Sequence, residues 1–223
     1  MDKIRLNKFL AERLGVSRRE ADEIISRGEV TINGEKAILG ARIDFSDKVC
    51  YNKKIVPFDT EFLYLAFHKP VGYVCSRRAQ GQTPTLYELL PKKYHHLKTV
   101  GRLDKDSSGL ILLTNDGDFA FKMTHPKFRK TKVYEVELDR SLEPLHQQMI
   151  TDYGVALDDG VSQFKILTLN KDTYTVILTE GRNRQIRRTF AALGYRVTKL
   201  HRTSFGPYEL DGLKPGEYAI IKV

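Results

Sequence analysis

The sequence has 223 residues, 41% of them hydrophobic and 29% charged, which excludes a largely disordered chain and allows one large domain or two smaller ones. Its formal net charge of +9 favours a polyanionic partner, most simply nucleic acid. No apolar run reaches the ~18 residues that a membrane span needs, and MDKIRLNKF at the start lacks the apolar segment of a signal peptide. We therefore expect no membrane association. The two cysteines lack metal-ligand spacing and predict a reducing, cytoplasmic compartment.

The first 60 residues have the pattern of a small domain with two helices. Apolar residues at helical spacing predict a first helix over residues 4–14. Ser17 and Glu20 form the capping-box pattern of a second helix, and Gly28 is placed to end it. The further elements predicted here are strands at 30–32 and within 47–56, and a hairpin turn at Asn33-Gly34.

Basic residues concentrate on these two helices, and on charge alone ordinary solvated helix faces are the alternative reading. The stretch RLNKFLAERLGVSRREADEIISRGEVTINGE, at 5–35, closely resembles the alpha-L motif, a small RNA-binding module shared by a ribosomal small-subunit protein and tyrosyl-tRNA synthetases. The resemblance implies that both helices present basic side chains to the phosphates of structured RNA. The implied RNA-binding residues are Arg5, Lys8, Arg18, Arg19 and Arg27.

Residues 57–61 have the composition of a linker, and the chain after them alternates strands, short helices and loops. This pattern predicts an α+β domain with a mostly antiparallel sheet. The predicted elements are strands at 63–67, 110–113, 133–138, 165–169, 174–179 and 196–200, helices at 142–153 and 183–193, a turn at 69–72 and a polar loop at 77–84.

The sequence lacks the phosphate-loop, dinucleotide-turn, zinc-protease and serine-hydrolase motifs. What remains is a carboxylate, Asp104, between Arg102 and Lys105, and a dense basic cluster, EGRNRQIRR, at 180–188. A carboxylate beside cations stays ionised, which suits a nucleophile better than a general acid. On its own, a turn aspartate in a surface ion pair is the better interpretation.

Four motifs occur in order: HKPVG at 68–72, GRLDKDSSGLILLTNDG at 101–117, KVYEVEL at 132–138 and EGRNRQIRR at 180–188. Together they resemble the bacterial ribosomal-RNA pseudouridine synthases that carry an N-terminal alpha-L domain, over essentially the whole chain. The resemblance implies an RNA-binding domain at 1–60 and a catalytic domain at 61–223. One departure follows the last motif, where Thr189 stands in place of the usual methionine.

The resemblance implies conversion of a uridine to pseudouridine, with no cofactor and no metal. Asp104 matches the essential aspartate, which either attacks C1′ or removes a C2′ proton, and Arg187 matches the arginine that pairs with it. Tyr134 matches the tyrosine that stacks on the uracil; from periodicity alone it is a plain strand aromatic. The implied substrate-binding residues are Leu200, Arg102, Lys69 and Arg184.

The expected partner is ribosomal RNA and the expected state is a monomer, as is usual in the family. The motifs THP at 124–126 and EGRNRQIRR favour a large-subunit target slightly over a small-subunit one. Three alternatives stay open: a non-catalytic RNA-binding ribosome-assembly factor, a synthase acting on tRNA, and another type of RNA-modifying enzyme, such as a methyltransferase. The missing glycine-rich cofactor turn counts against the methyltransferase.

Overall fold

The computed structural model describes residues 3–59, 61–77 and 81–223. The chain divides into two compact units, the first formed by Met1–Leu63, His96–Lys98 and Asn115–Gly117 and the second by the rest. The predicted linker contains Thr60, and the predicted polar loop contains residues 78–80, all of which lie outside the described residues. Within the described ranges, no helix is both long enough and apolar enough to cross a bilayer.

The first unit packs two helices against short strands. Their bounds are β1 (Ile4–Arg5), α1 (Leu6–Arg13), α2 (Arg18–Ser26), β2 (Val30–Ile32), β3 (Glu35–Lys36), β4 (Arg42–Ile43), β5 (Val49–Tyr51) and β6 (Lys54–Ile55). Four of the strands form a sheet in the order β3-β2-β5-β6, and β1 pairs with β4. Apolar side chains of both helices and of these strands share one core, which includes Phe9, Leu10, Ile24, Ile25 and Val49.

Helix α2 begins with the predicted capping box. The Glu20 amide donates to Ser17 Oγ at 3.1 Å, and the Ser17 amide donates to Glu20 Oε2 at 3.4 Å. The prediction that the first helix includes Ile4 is wrong. Ile4 pairs with Ile43 in an antiparallel bridge, which keeps the backbone extended until Leu6.

The second unit is built on one mixed sheet. The elements that follow in the chain are β7 (Tyr64–Lys69), β8 (Lys98–Val100), β9 (Ser108–Thr114), α3 (Gly117–Thr124), β10 (Lys132–Leu138), α4 (Pro144–Gln148), β11 (Val155–Leu157), β12 (Gly160–Ser162), β13 (Lys165–Thr168), β14 (Thr173–Leu178), α5 (Gln185–Ala192), β15 (Val197–Phe205), β16 (Tyr208–Glu209) and β17 (Tyr218–Ile220). The sheet order is β13-β14-β10-β15-β9-β7-β17. Strands β9 and β15 run parallel, and the other neighbours along this order run antiparallel. The predicted α+β fold with a mostly antiparallel sheet is confirmed.

The parallel pair brings two distant segments of the chain together. Gly109 on β9 pairs with Arg202 on β15. A Cβ atom at Gly109 would lie 2.2 Å from the Arg202 carbonyl oxygen, and its φ of +107° lies in a region that side chains rarely adopt. Only glycine therefore permits this close approach, which places the start of β9 beside β15.

Candidate active site

A cleft of about 400 Å³ opens on the second unit. Asp104 lines it from the loop between β8 and β9, where the Ser107 amide donates to the Asp104 carbonyl oxygen at 3.1 Å. The Asp104 side chain is 35% exposed, so its carboxylate is within reach of a ligand. Other residues that line the cleft are Arg102, Lys132, Tyr134, Glu180, Arg182, Arg184, Leu200, Arg202 and Phe205.

Lys69, at the end of β7, stabilises the loop that carries Asp104. Lys69 is fully buried, and its ammonium donates to the carbonyl oxygens of Pro70 at 3.0 Å, Asp104 at 3.0 Å and Ser107 at 2.6 Å. Three acceptors match the three protons of the ammonium. Burial lowers the pKa of Lys69 to about 8. Lys69, which the resemblance implies as a substrate-binding residue, has no exposed side-chain surface in this structure, where its ammonium fixes the loop.

Arg184 is the arginine that contacts Asp104. It precedes helix α5 in a left-handed conformation, with φ of 44°, and its Nη1 donates to Asp104 Oδ2 at 3.3 Å. Arg187, which the resemblance implies as the partner of Asp104, makes no direct contact with that carboxylate among the described residues. Arg187 Nη1 donates to the Val197 carbonyl oxygen at 2.9 Å, and Nη2 donates to the Asp106 carbonyl oxygen at 2.8 Å. These backbone bonds fix the Arg187 guanidinium on the Asp106 side of the loop.

Asp106 contacts both arginines, although the sequence pattern predicted no role for it. Arg184 donates to both Asp106 carboxylate oxygens at 3.1 Å, and Arg187 Nε lies 3.4 Å from Oδ2. Partial burial opposes ionisation, but the Arg184 hydrogen bond and the Arg187 charge outweigh it and lower the pKa of Asp106. The sequence did contain a signal for this role, namely a second carboxylate two residues after Asp104.

Tyr134 and Leu200 lie on one face of the sheet, within the cleft. Tyr134 on β10 pairs with Arg202 on β15, and the next pair on the same face is Val136 with Leu200. Tyr134 is 9% exposed and Leu200 is 7% exposed, and both line the cleft. The cleft thus has an aromatic and an aliphatic side chain in adjacent strands, an arrangement suited to holding a planar base.

The remaining predicted cleft residue, Arg102, is exposed on the wall of the cleft. Arg182 also lines the cleft, but its Nη1 and Nη2 donate to the carbonyl oxygens of Gly160 and Val161 and to the carboxylate of Asp159. Arg182 therefore fixes the hairpin of β11 and β12, whereas Arg102 keeps an exposed cation at the cleft.

The predicted RNA-binding residues of the first unit differ in how accessible they are. Arg5, Arg18 and Arg19 are exposed, and Lys8 is half-buried. Arg27 is exposed but its Nε contacts the Glu29 carboxylate, and that hydrogen bond raises the pKa of the guanidinium. The ion pair leaves Arg27 less of its charge to offer to a phosphate than Arg18 and Arg19 have.

Metal ligands are not grouped in this structure: among the described residues, no cluster of three His, Cys, Asp or Glu side chains could hold an ion.

Family models match two separate ranges of this chain. Residues 63–192 match the family described as RNA pseudouridylate synthase, and residues 4–49 match the S4 domain. The chain is 40% identical to ribosomal small subunit pseudouridine synthase A of Pasteurella multocida, over 96% of this chain and 94% of that protein. It is 34% identical to ribosomal large subunit pseudouridine synthase B of Bacillus subtilis, over 96% and 90%. A solved structure titled as a pseudouridylate synthase matches with a TM-score of 0.71 at 32% identity, covering 98% of this chain and 96% of that one.

Proposed function

This chain belongs to the RNA pseudouridine synthase family, and from that premise we propose that it converts a specific uridine of ribosomal RNA to pseudouridine, with Asp104 as the catalytic carboxylate. The observation that carries the proposal is the cleft, where Asp104, ion-paired with Arg184, shares one cavity with Tyr134 and Leu200. The relatives named for ribosomal subunits, similar over nearly their whole length, support ribosomal RNA as the substrate.

The reaction moves the ribose from N1 to C5 of the same uracil. The target nucleotide must leave its stack to enter the cleft, where Tyr134 and Leu200 hold the base from two sides. The N1–C1′ bond then breaks, while Asp104 either forms a bond to C1′ or takes the C2′ proton. After the base turns, C5 bonds to C1′ while the Asp104–C1′ bond breaks or Asp104 returns the proton to C2′; the C5 proton is then lost and N1 is protonated. Reactant and product are isomers, so the proposed chemistry needs no cofactor.

Arg184 and Arg187 orient the acidic turn during this sequence. Arg184 reaches Asp104 directly, and Arg187 acts through Asp106, which both arginines contact. An ion pair formed before the substrate arrives keeps the Asp104 carboxylate oriented. Arg187 is thus a positioning residue in this proposal.

The division of labour follows the two units. We assign RNA affinity chiefly to residues 1–60, through Arg5, Lys8, Arg18 and Arg19, and the chemistry to residues 61–223. Contacts between such cations and phosphates position an RNA without reading its sequence. We further propose a cytoplasmic monomer, and light scattering of the purified protein tests the monomeric state.

The choice of ribosomal subunit stays a prediction. The sequence motifs favour the large subunit slightly, and relatives named for either subunit match this chain over nearly its full length. The target uridine is set by the fit between the protein surface and folded RNA. Both ribosomal RNAs must therefore be tested together.

The experiment is a carbodiimide primer-extension map of both ribosomal RNAs after incubation with purified protein and no added cofactor or metal. Wild type is compared with Asp104→Asn and with Asp152→Asn, an exposed carboxylate that does not line the cleft. We expect one new stop with wild type and with Asp152→Asn, and none with Asp104→Asn, which should still bind the RNA.

Other outcomes are equally informative. A stop with Asp104→Asn removes this residue from the mechanism. Modification of tRNA in place of ribosomal RNA changes the substrate. Tight RNA binding without a stop on any RNA, naked or in partly assembled subunits, identifies an RNA-binding assembly factor instead.

A further inference from the structure

Two cations line the cleft beside Tyr134, and neither has a role in the chemistry described so far. Lys132 lies two residues before Tyr134 on the same face of β10, and Arg202 pairs with Tyr134 across the strands. Both lie over the ring of Phe205, with Lys132 Nζ 5.2 Å and Arg202 Cζ 4.9 Å from its centroid. We call Lys132 and Arg202 the cationic floor of the cleft, and it lies next to the position proposed for the base.

Both floor cations are incompletely compensated by the protein. Arg202 is 2% exposed, and its Nε donates to the Leu110 carbonyl oxygen at 2.7 Å. Its Nη2 has no hydrogen-bond partner among the described residues. Lys132 Nζ makes only long contacts, 3.3 Å to the Glu180 carbonyl oxygen and 3.4 Å to that of Lys130.

No carboxylate of the described residues forms an ion pair with either floor cation. The nearest acidic group, Glu180, accepts hydrogen bonds from Gln185 and Arg182. Burial, together with the Arg202 charge, lowers the pKa of Lys132 to about 8. Buried charge without a counter-ion is costly, so such a floor is complementary to a ligand that carries negative charge.

We propose that the Lys132 ammonium binds a carbonyl oxygen of the target uracil and stabilises the uracil anion that forms when the base leaves the ribose, with Arg202 as a fixed positive charge behind it. This inference rests on the proposed function. It adds a catalytic residue, Lys132, and a positioning residue, Arg202, to Asp104 and Tyr134.

The electrons and protons of this step balance without another reactant. When N1–C1′ breaks, the bonding pair stays with the uracil, and the negative charge spreads over N1, O2 and O4. Asp104 meanwhile compensates the electron-poor ribose by bonding to C1′ or by taking the C2′ proton. Lys132 donates a hydrogen bond and keeps its proton. The anion later uses its electron pair to form the C5–C1′ bond, and the Asp104 carboxylate then leaves C1′ or returns the proton to C2′.

A base is a better occupant for this floor than a backbone phosphate. Phosphates of a flipped nucleotide stay near the rim, where Arg102 is exposed and the Arg184 side chain is 42% exposed. Lys132 and Arg202 instead share the sheet face of Tyr134, below that rim. A donor aimed at the position where charge develops accelerates the chemical step, because it acts more strongly on the anion than on the neutral base.

The test compares uridine with 5-fluorouridine at the target position of one RNA, using full-length protein in excess. Fluorine stabilises the uracil anion, so base detachment depends less on help from the protein. The rate of loss of the original nucleoside is measured after quenching, nuclease digestion and chromatography. The variants are Lys132→Met, Lys132→Gln and Lys132→Arg, with Lys165→Met as an exposed control outside the cleft.

We expect Lys132→Met and Lys132→Gln to slow detachment of uracil about 100-fold and that of 5-fluorouracil less than about tenfold. Lys132→Arg should restore most of the uridine rate, and Lys165→Met should leave both rates unchanged. Equal slowing of both bases, with or without weaker RNA binding, overturns the inference, since it indicates a structural or phosphate-contact role.

The failure of this inference and that of the proposed function are distinguishable. If wild type detaches neither base from any RNA tested, the proposed function fails and this inference falls with it. If wild type converts uridine but the ratio of the two rates is the same in every folded variant, only the inference fails. Circular dichroism of each variant establishes which ones are folded.

Discussion

Lys69→Met tests whether the buried ammonium holds the Asp104 loop in shape. The substitution keeps an apolar side chain in place but removes three hydrogen bonds, to the carbonyl oxygens of Pro70, Asp104 and Ser107. The Asp104 carbonyl oxygen still accepts from the Ser107 amide, so two carbonyls, those of Pro70 and Ser107, are left unpaired, and at about 2 kcal/mol each their cost is about 4 kcal/mol. The variant also avoids burying a charge, and the lowering of the Lys69 pKa from 10.5 to about 8 corresponds to about 3 kcal/mol. The free energy of unfolding should therefore fall by about 1 kcal/mol.

The assay has a stability arm and a kinetic arm. Urea denaturation followed by circular dichroism gives the free energy of unfolding near pH 7, and single-turnover conversion of uridine gives the chemical rate. A displacement of Asp104 by about 1 Å should slow the reaction about 100-fold. Lys92→Met, at an exposed lysine, should change stability by less than about 0.5 kcal/mol. A Lys69→Met protein with wild-type stability and rate would refute the clamping role.

The pH dependence of stability tests the same ammonium independently. Between about pH 8 and 10.5, the folded protein has released the Lys69 proton while the unfolded chain still holds it. The contribution of Lys69 to the free energy of unfolding therefore rises with pH across this window and is constant below it. Lys69→Met lacks this contribution, so its deficit relative to wild type should widen as the pH rises. A constant deficit in urea titrations from pH 7 to 10 contradicts the lowered pKa.

The remaining predictions concern the acidic turn, the base-holding tyrosine and the RNA-binding unit. Asp106→Asn should lower the single-turnover rate about tenfold with unchanged RNA affinity, and Asp106→Glu should recover part of it, because the carboxylate positions Arg184 and Arg187. Tyr134→Phe should detach the base at the wild-type rate and slow only the release of tritium from C5, whereas Tyr134→Ala should lose both activities. Equal loss in the two variants would argue against the hydroxyl as a proton acceptor. Replacing Arg18 and Arg19 with alanine should reduce the slope of log affinity against log salt by about two, with the rate at saturating enzyme unchanged.

Local features of the fold were readable from the sequence because each depends on neighbours along the chain. The capping box of Ser17 and Glu20 needs only a three-residue spacing, and the strand at 133–138 needs only alternating burial. Features that depend on distant partners were predicted less well. Ile4 fits a helical pattern, yet its pairing with Ile43 places it in a strand.

The same distinction applies to the contacts within the candidate site. Arg184 and Arg187 lie about one helical turn apart, so the sequence is compatible with either one contacting Asp104. The backbone conformation at Arg184 and the Val197 carbonyl that accepts from Arg187 determine which arginine contacts Asp104. Neither feature can be predicted from the sequence pattern. A lysine in a predicted turn likewise resembles a surface residue. Lys69 is buried because a loop that is distant in sequence, with the carbonyl oxygens of Asp104 and Ser107, packs over its ammonium.

The position of β15 in the sheet has a consequence for protein synthesis. The loop that carries Asp104 precedes β9, and Tyr134 lies on β10, so both are synthesised before β15. The strand that joins β9 to β10 is β15, Val197–Phe205, which leaves the ribosome more than 60 residues after Tyr134. An incomplete nascent chain therefore has both reactive side chains but no sheet to bring them together. Catalytic competence therefore arises only after β15 has emerged and paired with both strands.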